Sequence, residues 1–285
     1  MYFEKNSNRL TARKQNERIL IEAWGNNALR VRVTHNADFT EDDKALSPVL
    51  SSAQITIDDS KASIRNGKIS CVIAKSGWLE FYSDKKPILK EYYRGFGNAN
   101  EHSPSMKFHA REFKAVSGND YSITARFESQ DGEKIFGMGQ YQQPELDLKG
   151  CVLELAQRNS QISVPFYLSN KGYGFLWNNA GIGEVMFGKN YTQWRSKLSE
   201  ELDYWITADD TPKAIMENYT EVVGRAPEFP ENALGLWQCK LRYQTQEELL
   251  SIAREYKRRG LPIGRRTRFW RLRASIKGAV FRLML

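Results

Sequence analysis

Four adjacent acidic pairs are the first groups in this sequence that could move protons: Asp42-Asp43, Asp58-Asp59, Glu200-Glu201 and Asp209-Asp210. Neighbouring side chains on an extended chain point to opposite sides, so no pair is expected to converge on one substrate atom. Capping turns in solvent is their expected role. His35, His102 and His109 lack the spacing of a metal site. Cys71, Cys151 and Cys239 are odd in number, far apart and outside any CxxC pattern, which predicts a reducing compartment and no disulfide framework. No GxSxG, P-loop or Rossmann glycine pattern is present. The residues therefore predict no metal, no cofactor and no catalytic group. Gln157-Arg158-Asn159 remains, a run of amides and a guanidinium in the polar stretch Ala156 to Gln161. It reads either as a ligand-contacting loop or as an exposed loop with no ligand.

The elements that must position these groups are mostly strands. Arg18–Trp24, Ala28–Thr34, Ala53–Asp58, Lys68–Ala74, Gly77–Ser83, Tyr121–Glu128, Ile162–Ser169, Gly172–Trp177 and Leu202–Thr207 carry β-branched or aromatic residues at near-alternating spacing. Gly25-Asn26-Asn27, Asn66-Gly67, Ser117 to Asp120, Asp131-Gly132 and Asn170 to Gly172 separate them as turns. This pattern predicts a large antiparallel sandwich. Aromatics make up 12% of the chain; rings pack well on a pleated sheet, and they also suit sugar-binding clefts.

After Ala208 the periodicity changes. Thr211-Pro212 is a cap followed by an N1 proline, Gly224 is a stop, and Ile215, Tyr219 and Val222-Val223 share one helix face. Ala233–Trp237 reads as a short buried strand. Thr245-Gln246-Glu247-Glu248 is a capping box ahead of a helix with Leu249, Ile252, Ala253 and Tyr256 as its stripe, ended by Gly260. Strand, helix and stop make half of a βαβ unit, whose next strand should be an apolar run. Gly264-Arg265-Arg266-Thr267-Arg268 cannot serve as one.

Charge isolates the same point. Of 42 Lys+Arg, seven fall in Gly264 to Leu285 with no acidic residue, leaving 35 against 34 Asp+Glu in the preceding residues. The formal net charge of +8 thus belongs to a tail, and the body gives no basis for a nucleic-acid partner. Read as a helix, the tail spreads its charge around the whole circumference, which argues against membrane binding. No run of eighteen apolar residues exists, and the start has no apolar signal region, so the expected location is the cytoplasm. Nothing in the sequence specifies an oligomeric state.

Lys134 to Gln140 (KIFGMGQ), Val164 to Phe175, Tyr204 to Ala208 with Thr211-Pro212, Leu234 to Tyr243 (LGLWQCKLRY) and Glu247 to Pro262, in this order, resemble glycoside hydrolase family 31 of the bacterial α-xylosidase and α-glucosidase type. The resemblance is strongest over about 134–263. It implies a mainly β fold: a mutarotase-like sandwich over 1–230, then the first strand and helix of a truncated (β/α)8 barrel over 231–263, with 264–285 as an atypical basic tail. It implies retaining hydrolysis of α-xylosides or α-glucosides in the intact enzyme by two aspartates on later barrel strands, so that no catalytic residue is assigned here. An α-linked oligosaccharide would be the ligand. Arg158 and Asn159 would then lie on a sandwich loop over the barrel mouth, where such groups can bond sugar hydroxyls. Trp237, Arg242 and Tyr243 would lie at the C-terminal end of strand one, where barrels place active sites. The tail is expected to be a reading-frame change or gene-model error, an appended peptide being the other reading. A carbohydrate-binding sandwich without catalysis is the alternative function.

Overall fold

In a computed structural model of the chain, residues 1–95, 107–234 and 243–261 are described, together with the backbone of 270–272 and 281–283. The chain divides into two compact units, Met1–Arg225 and Ala226–Leu285.

The first unit contains β1 (Tyr2–Asn6), β2 (Arg9–Lys14), β3 (Glu17–Ala23), β4 (Ala28–Thr34), β5 (Gln54–Ile57), β6 (Lys61–Asn66), β7 (Ile69–Ala74), β8 (Leu79–Ser83) and β9 (Lys86–Lys90). There follow the short β10 (Arg94–Gly95) and β11 (Lys107–Phe108), then β12 (Arg111–Ser117), β13 (Asp120–Glu128), β14 (Ile135–Gln140) and β15 (Val152–Leu155). The last are β16 (Ile162–Ser169), β17 (Tyr173–Trp177), β18 (Gly183–Phe187), β19 (Tyr191–Ser199) and β20 (Leu202–Ala208), before helix α1 (Pro212–Val223).

These strands build an antiparallel sandwich. One layer is an eight-stranded sheet in the order β1-β2-β3-β4-β20-β17-β16-β14. Two five-stranded sheets, β5-β6-β7-β8-β9 and β12-β13-β19-β18-β15, supply the other layer. They meet edge to edge, where Glu91 bridges to Phe127 and the Tyr92 amide donates to the Arg126 carbonyl at 2.9 Å. One apolar core runs between the layers; Val31, Ile21, Ile64 and Phe81 belong to it, and Phe175, Trp194, Tyr204 and Phe127 stack or meet edge-on within it. Alternation along the strands delivers these residues to one face.

The other face of the large sheet is covered too. Ala28, Phe166, Leu176 and Trp205 pack under Ile215 and Val222 of α1 and under Leu46. Thr211 caps the helix, its hydroxyl accepting from the Ala214 amide at 3.2 Å, and Gly224 (φ 93°) ends it. Gly174 on β17 makes the close approach possible: a Cβ there would lie 2.7 Å from Ile215 Cγ2 and 2.9 Å from Phe166 Cζ. Strands β4, β17 and β20 are therefore buried on both faces.

Polar residues on that outer face must find partners in the interior. Arg30 and Asp203 are fully buried and paired, with the Asp203 carboxylate accepting from Arg30 Nη2 at 2.8 Å and from Asn178 Nδ2 at 2.8 Å. Asp43 and Lys44, from the segment between β4 and β5, close the same network onto Arg30, Glu201 and Asp203.

In the second unit, Glu231–Leu234 forms a 3-10 turn with Leu234 largely exposed. The expected strand Ala233–Trp237 is not seen in its first two residues, and 235–237 lie outside the described residues. A strand needs a neighbour for its amides and carbonyls, whereas a 3-10 turn bonds locally. Helix α2 (Gln246–Arg258) starts as expected, with the Thr245 hydroxyl accepting from the Glu248 amide at 3.1 Å. The return bond differs by one residue: the Glu248 carboxylate accepts from the Gln244 amide at 2.7 Å, ahead of the cap. In the tail the backbone of β21 (Trp270–Leu272) pairs antiparallel with β22 (Phe281–Leu283).

Candidate functional site

The polar stretch Ala156 to Gln161 leaves β15 in the five-stranded layer and enters β16 in the eight-stranded one, so it crosses the end of the sandwich. A tight turn shapes its tip, where the Gln161 amide donates to the Arg158 carbonyl at 3.1 Å and Ser160 takes a left-handed conformation at φ 65°. The Gln157 side chain is consumed in holding the loop: its amide NH2 donates to the Ser163 carbonyl at 2.9 Å, and its oxygen accepts from the Ser163 amide at 3.0 Å. It copies a strand-to-strand pair and is not offered to a ligand.

Arg158 and Asn159 both stand exposed. Glu154 holds the Arg158 guanidinium by two bonds of 2.9 and 2.7 Å. The hydrogen bonds from Arg158 also lower the Glu154 carboxyl below its ordinary value. This pair occupies Nε and Nη2 and orients the planar group.

A backbone irregularity within the Lys134 to Gln140 motif lies beside this loop. Gly137, Met138 and Gly139 all have positive φ (117°, 70° and 94°), and β14 slips its register on β16 there. A Cβ at Gly139 would lie 2.2 Å from the Ile162 carbonyl oxygen, so only glycine permits this crossing. Just past the bulge, the Tyr141 hydroxyl lies 2.8 Å from both the Glu154 carbonyl and the Ser163 hydroxyl, tying the two strands that flank the loop. Burial pushes the Tyr141 phenol up. The signal available in the sequence was the Gly-Met-Gly spacing within an otherwise strand-like run.

The acidic pairs divide by burial. Asp58 caps a turn, accepting from the amides of Ser60 and Lys61 at 2.8 and 2.9 Å. Asp209 and Asp210 both hold Lys68, and Asp209 also accepts from Asn27 and Asn218. Glu201, in contrast, is 1% exposed and pairs with Lys44 and Thr40, so the solvent role expected for it does not hold. The cause is the segment between β4 and β5, which folds back over the sheet. His35 stacks on Phe113 at 4.3 Å, His109 is exposed and His102 lies outside the described residues. Among the described residues no group of three or more His, Cys, Asp or Glu is placed to hold a metal ion.

The structure thus brings Arg158 and Asn159 together on one loop. Tyr243 is half-buried in the second unit, just before α2. Trp237 and Arg242 lie outside the described residues, as do Lys240 and Cys239.

The fold around this loop is a two-layer antiparallel sandwich with a helix on its outer face. The sequence profile of the glycosyl hydrolase 31 N-terminal galactose mutarotase-like domain matches residues 18–185, and the chain belongs to glycoside hydrolase family 31. It is 47% identical over 270 residues to a protein of Pseudescherichia vulneris named as an uncharacterized family 31 glucosidase, covering 91% of this chain and 51% of that one. An alpha-xylosidase of Saccharolobus solfataricus is 32% identical over 152 residues, 50% of this chain and 21% of that protein. The solved structure of a family 31 alpha-xylosidase from a soil metagenome, complexed with xylose, superposes with a TM-score of 0.81 at 46% identity, covering 91% of this chain and 40% of that one. The chain therefore spans about half the length of the first of these relatives and less of the others. Among the described residues no helix is long and apolar enough to cross a membrane.

Proposed function

We propose that this chain is the N-terminal part of a retaining α-glycosidase that acts on α-xylosides or α-glucosides when intact, and that the 285-residue chain alone has no hydrolytic activity. The observation that carries this reading is the 46% identity and TM-score of 0.81 to an alpha-xylosidase that was solved with xylose. Retention requires two carboxyl groups about 5–5.5 Å apart on either side of the scissile bond. In this proposal both belong to barrel strands that follow the elements present here.

The domain division is part of the same reading: a sandwich over 1–230, a first strand and helix of a (β/α)8 barrel over 231–263, and a basic tail over 264–285 foreign to the fold. Arg158 and Asn159, and likewise Trp237, Arg242 and Tyr243, would contact the sugar in the intact enzyme. Exposure of Arg158 and Asn159, with Glu154 fixing the guanidinium, supports the first pair. A cytoplasmic location and action without nucleic acid, membrane or cofactor complete the proposal.

The test uses two proteins. The purified 285-residue chain is expected to release no nitrophenol from nitrophenyl α-xyloside or α-glucoside beyond a contaminant control. A version continued past codon 263 in the frame encoding an apolar strand is expected to hydrolyse one or both. Turnover by the short chain, or none by the continued one on either substrate, would overturn the proposal.

A further inference from the structure

The segment between β4 and β5 leaves a cleft of about 560 Å³ over the outer face of β2, β3 and β4. That volume lies within the range of small-ligand sites, roughly 300–1,000 Å³. Its floor includes Leu20 and Arg32, which are cross-strand partners on β3 and β4. Trp24, Phe39, Glu41 and Asp43 line it above the floor.

Three observations describe what would fit. First, Arg32 is 93% buried (7% exposed), and its Nε has no hydrogen-bond partner. Its other nitrogens are satisfied by the Thr40 carbonyl at 2.9 Å and by Glu22 at 2.8 Å. An orphaned donor of a buried cation is costly; Nε is itself closed off from solvent, so an acceptor in the cleft would reach it only with a shift of the Arg32 side chain. Second, the charges are mixed: Arg9 and Arg32 stand beside Glu41 and Asp43, with Glu22 pairing both arginines. Carboxylates at that density disfavour a phosphate or another anion, and the guanidinium groups disfavour a cation. A neutral ligand that both donates and accepts suits such a lining. Third, two of the lining groups are aromatic, each steadied by a guanidinium, Arg30 over Trp24 at 4.7 Å and Arg32 over Phe39 at 5.3 Å. Fixed rings beside hydrogen-bonding groups fit the apolar C–H face and polar rim of a pyranose.

We propose that this cleft is a second saccharide site, taking a neutral sugar unit away from the loop Ala156 to Gln161. The two lie apart on the large sheet, since β20 and β17 intervene between β4 and β16; three strand steps separate them by roughly 14 Å. The choice of sugar as the neutral ligand rests on the α-glycosidase reading above.

The Trp24 indole N–H donates to the Ser47 carbonyl at 3.1 Å and provides a reporter. Indole-resolved NMR of the full 285-residue chain, titrated with xylose- and glucose-containing oligosaccharides, is expected to show a saturable shift of Trp24. Phe39→Ala and Glu41→Gln should each weaken it about tenfold, a loss of the size of one charged hydrogen bond or ring contact. Arg158→Ala should leave it unchanged. Glu41 is exposed, so E41Q keeps the fold even if F39A does not. An unmoved Trp24 resonance, a shift of equal strength in the wild type and E41Q, or an identical response to glycerol would each overturn the site. If Trp24 stays still while the continued enzyme turns over α-glycosides, only this site fails; a moving Trp24 without turnover fails only the catalytic reading.

Discussion

Arg30 and Asp203 are charged residues that the fold places in the interior. Both sit at alternate, polar-looking positions of β4 and β20, which in the sequence mark a solvated face. Here that face is covered, and each residue is fully buried against the other. Removing one partner unbalances a buried network in which Asp43 still meets Arg30 and Lys44 still meets Asp203, at a cost of up to about 3–5 kcal/mol. Asp203→Ala is therefore expected to lower the urea midpoint strongly, while Arg30→Met with Asp203→Leu should recover much of the loss. Equal instability of single and double variants would contradict this account.

Asp209 offers the pH counterpart. Burial would raise its carboxyl, but bonds from Lys68, the Asp210 amide, Asn27 and Asn218 outweigh it and hold it below its ordinary 3.8. A carboxyl depressed on folding adds stability that is present above the unfolded value and disappears as pH falls through the folded one. Asp209→Asn is expected to flatten the loss of unfolding free energy below about pH 4, with chemical denaturation across pH 2–6 as the check. An unchanged acid limb would sink the assignment. The pair Asp209-Asp210 was legible as a turn cap; its tie to Lys68 and Asn218 was not, because it joins three separate stretches of chain.

Among the elements, Ala28–Thr34 and Ile162–Ser169 were legible to the residue, since branched side chains and clear turns bound them. Strand β14 was not, because Gly-Met-Gly breaks its alternation to make the bulge. Strand β18 opens on a glycine, and a Cβ at Gly183 would sit 1.9 Å from the Arg195 carbonyl, so close backbone packing replaced the pattern there. Helix α1 was read from its cap, stop and apolar face, yet the sequence held no sign that Gly174 receives it. Gly174→Ala should press on Ile215 and Phe166 and cost about 1–3 kcal/mol as overpacking. Thermal unfolding measures this, and Ile215→Ala in the same chain should relieve part of it. If the alanine is neutral, the helix does not rest on β17 as described.

At the scale of the whole molecule, the family and the sandwich were legible because several local motifs occur in one order, and order survives where single residues vary. The exposed loop that carries Arg158 and Asn159 was legible in the sequence as a polar stretch between strands. The way a segment folds back over a sheet was not legible, and the cleft beside Trp24 illustrates the difficulty. Its floor comes from β3 and β4 and its walls from a segment with no regular structure.

The pairing of β4 with β20 also constrains time. Val33 pairs with Leu202 and Ala28 with Thr207, so the middle of the eight-stranded sheet cannot close until the chain has been made past residue 208. At roughly 5–20 residues per second, a ribosome takes on the order of 8–35 s to travel between these strands. Throughout that interval the β1–β4 meander holds an open edge at β4, next to residues that will later be wholly interior. A nascent chain of this design keeps that edge unpaired until β20 arrives, and its yield in a cell is expected to fall more steeply with slowed synthesis than its final stability would suggest.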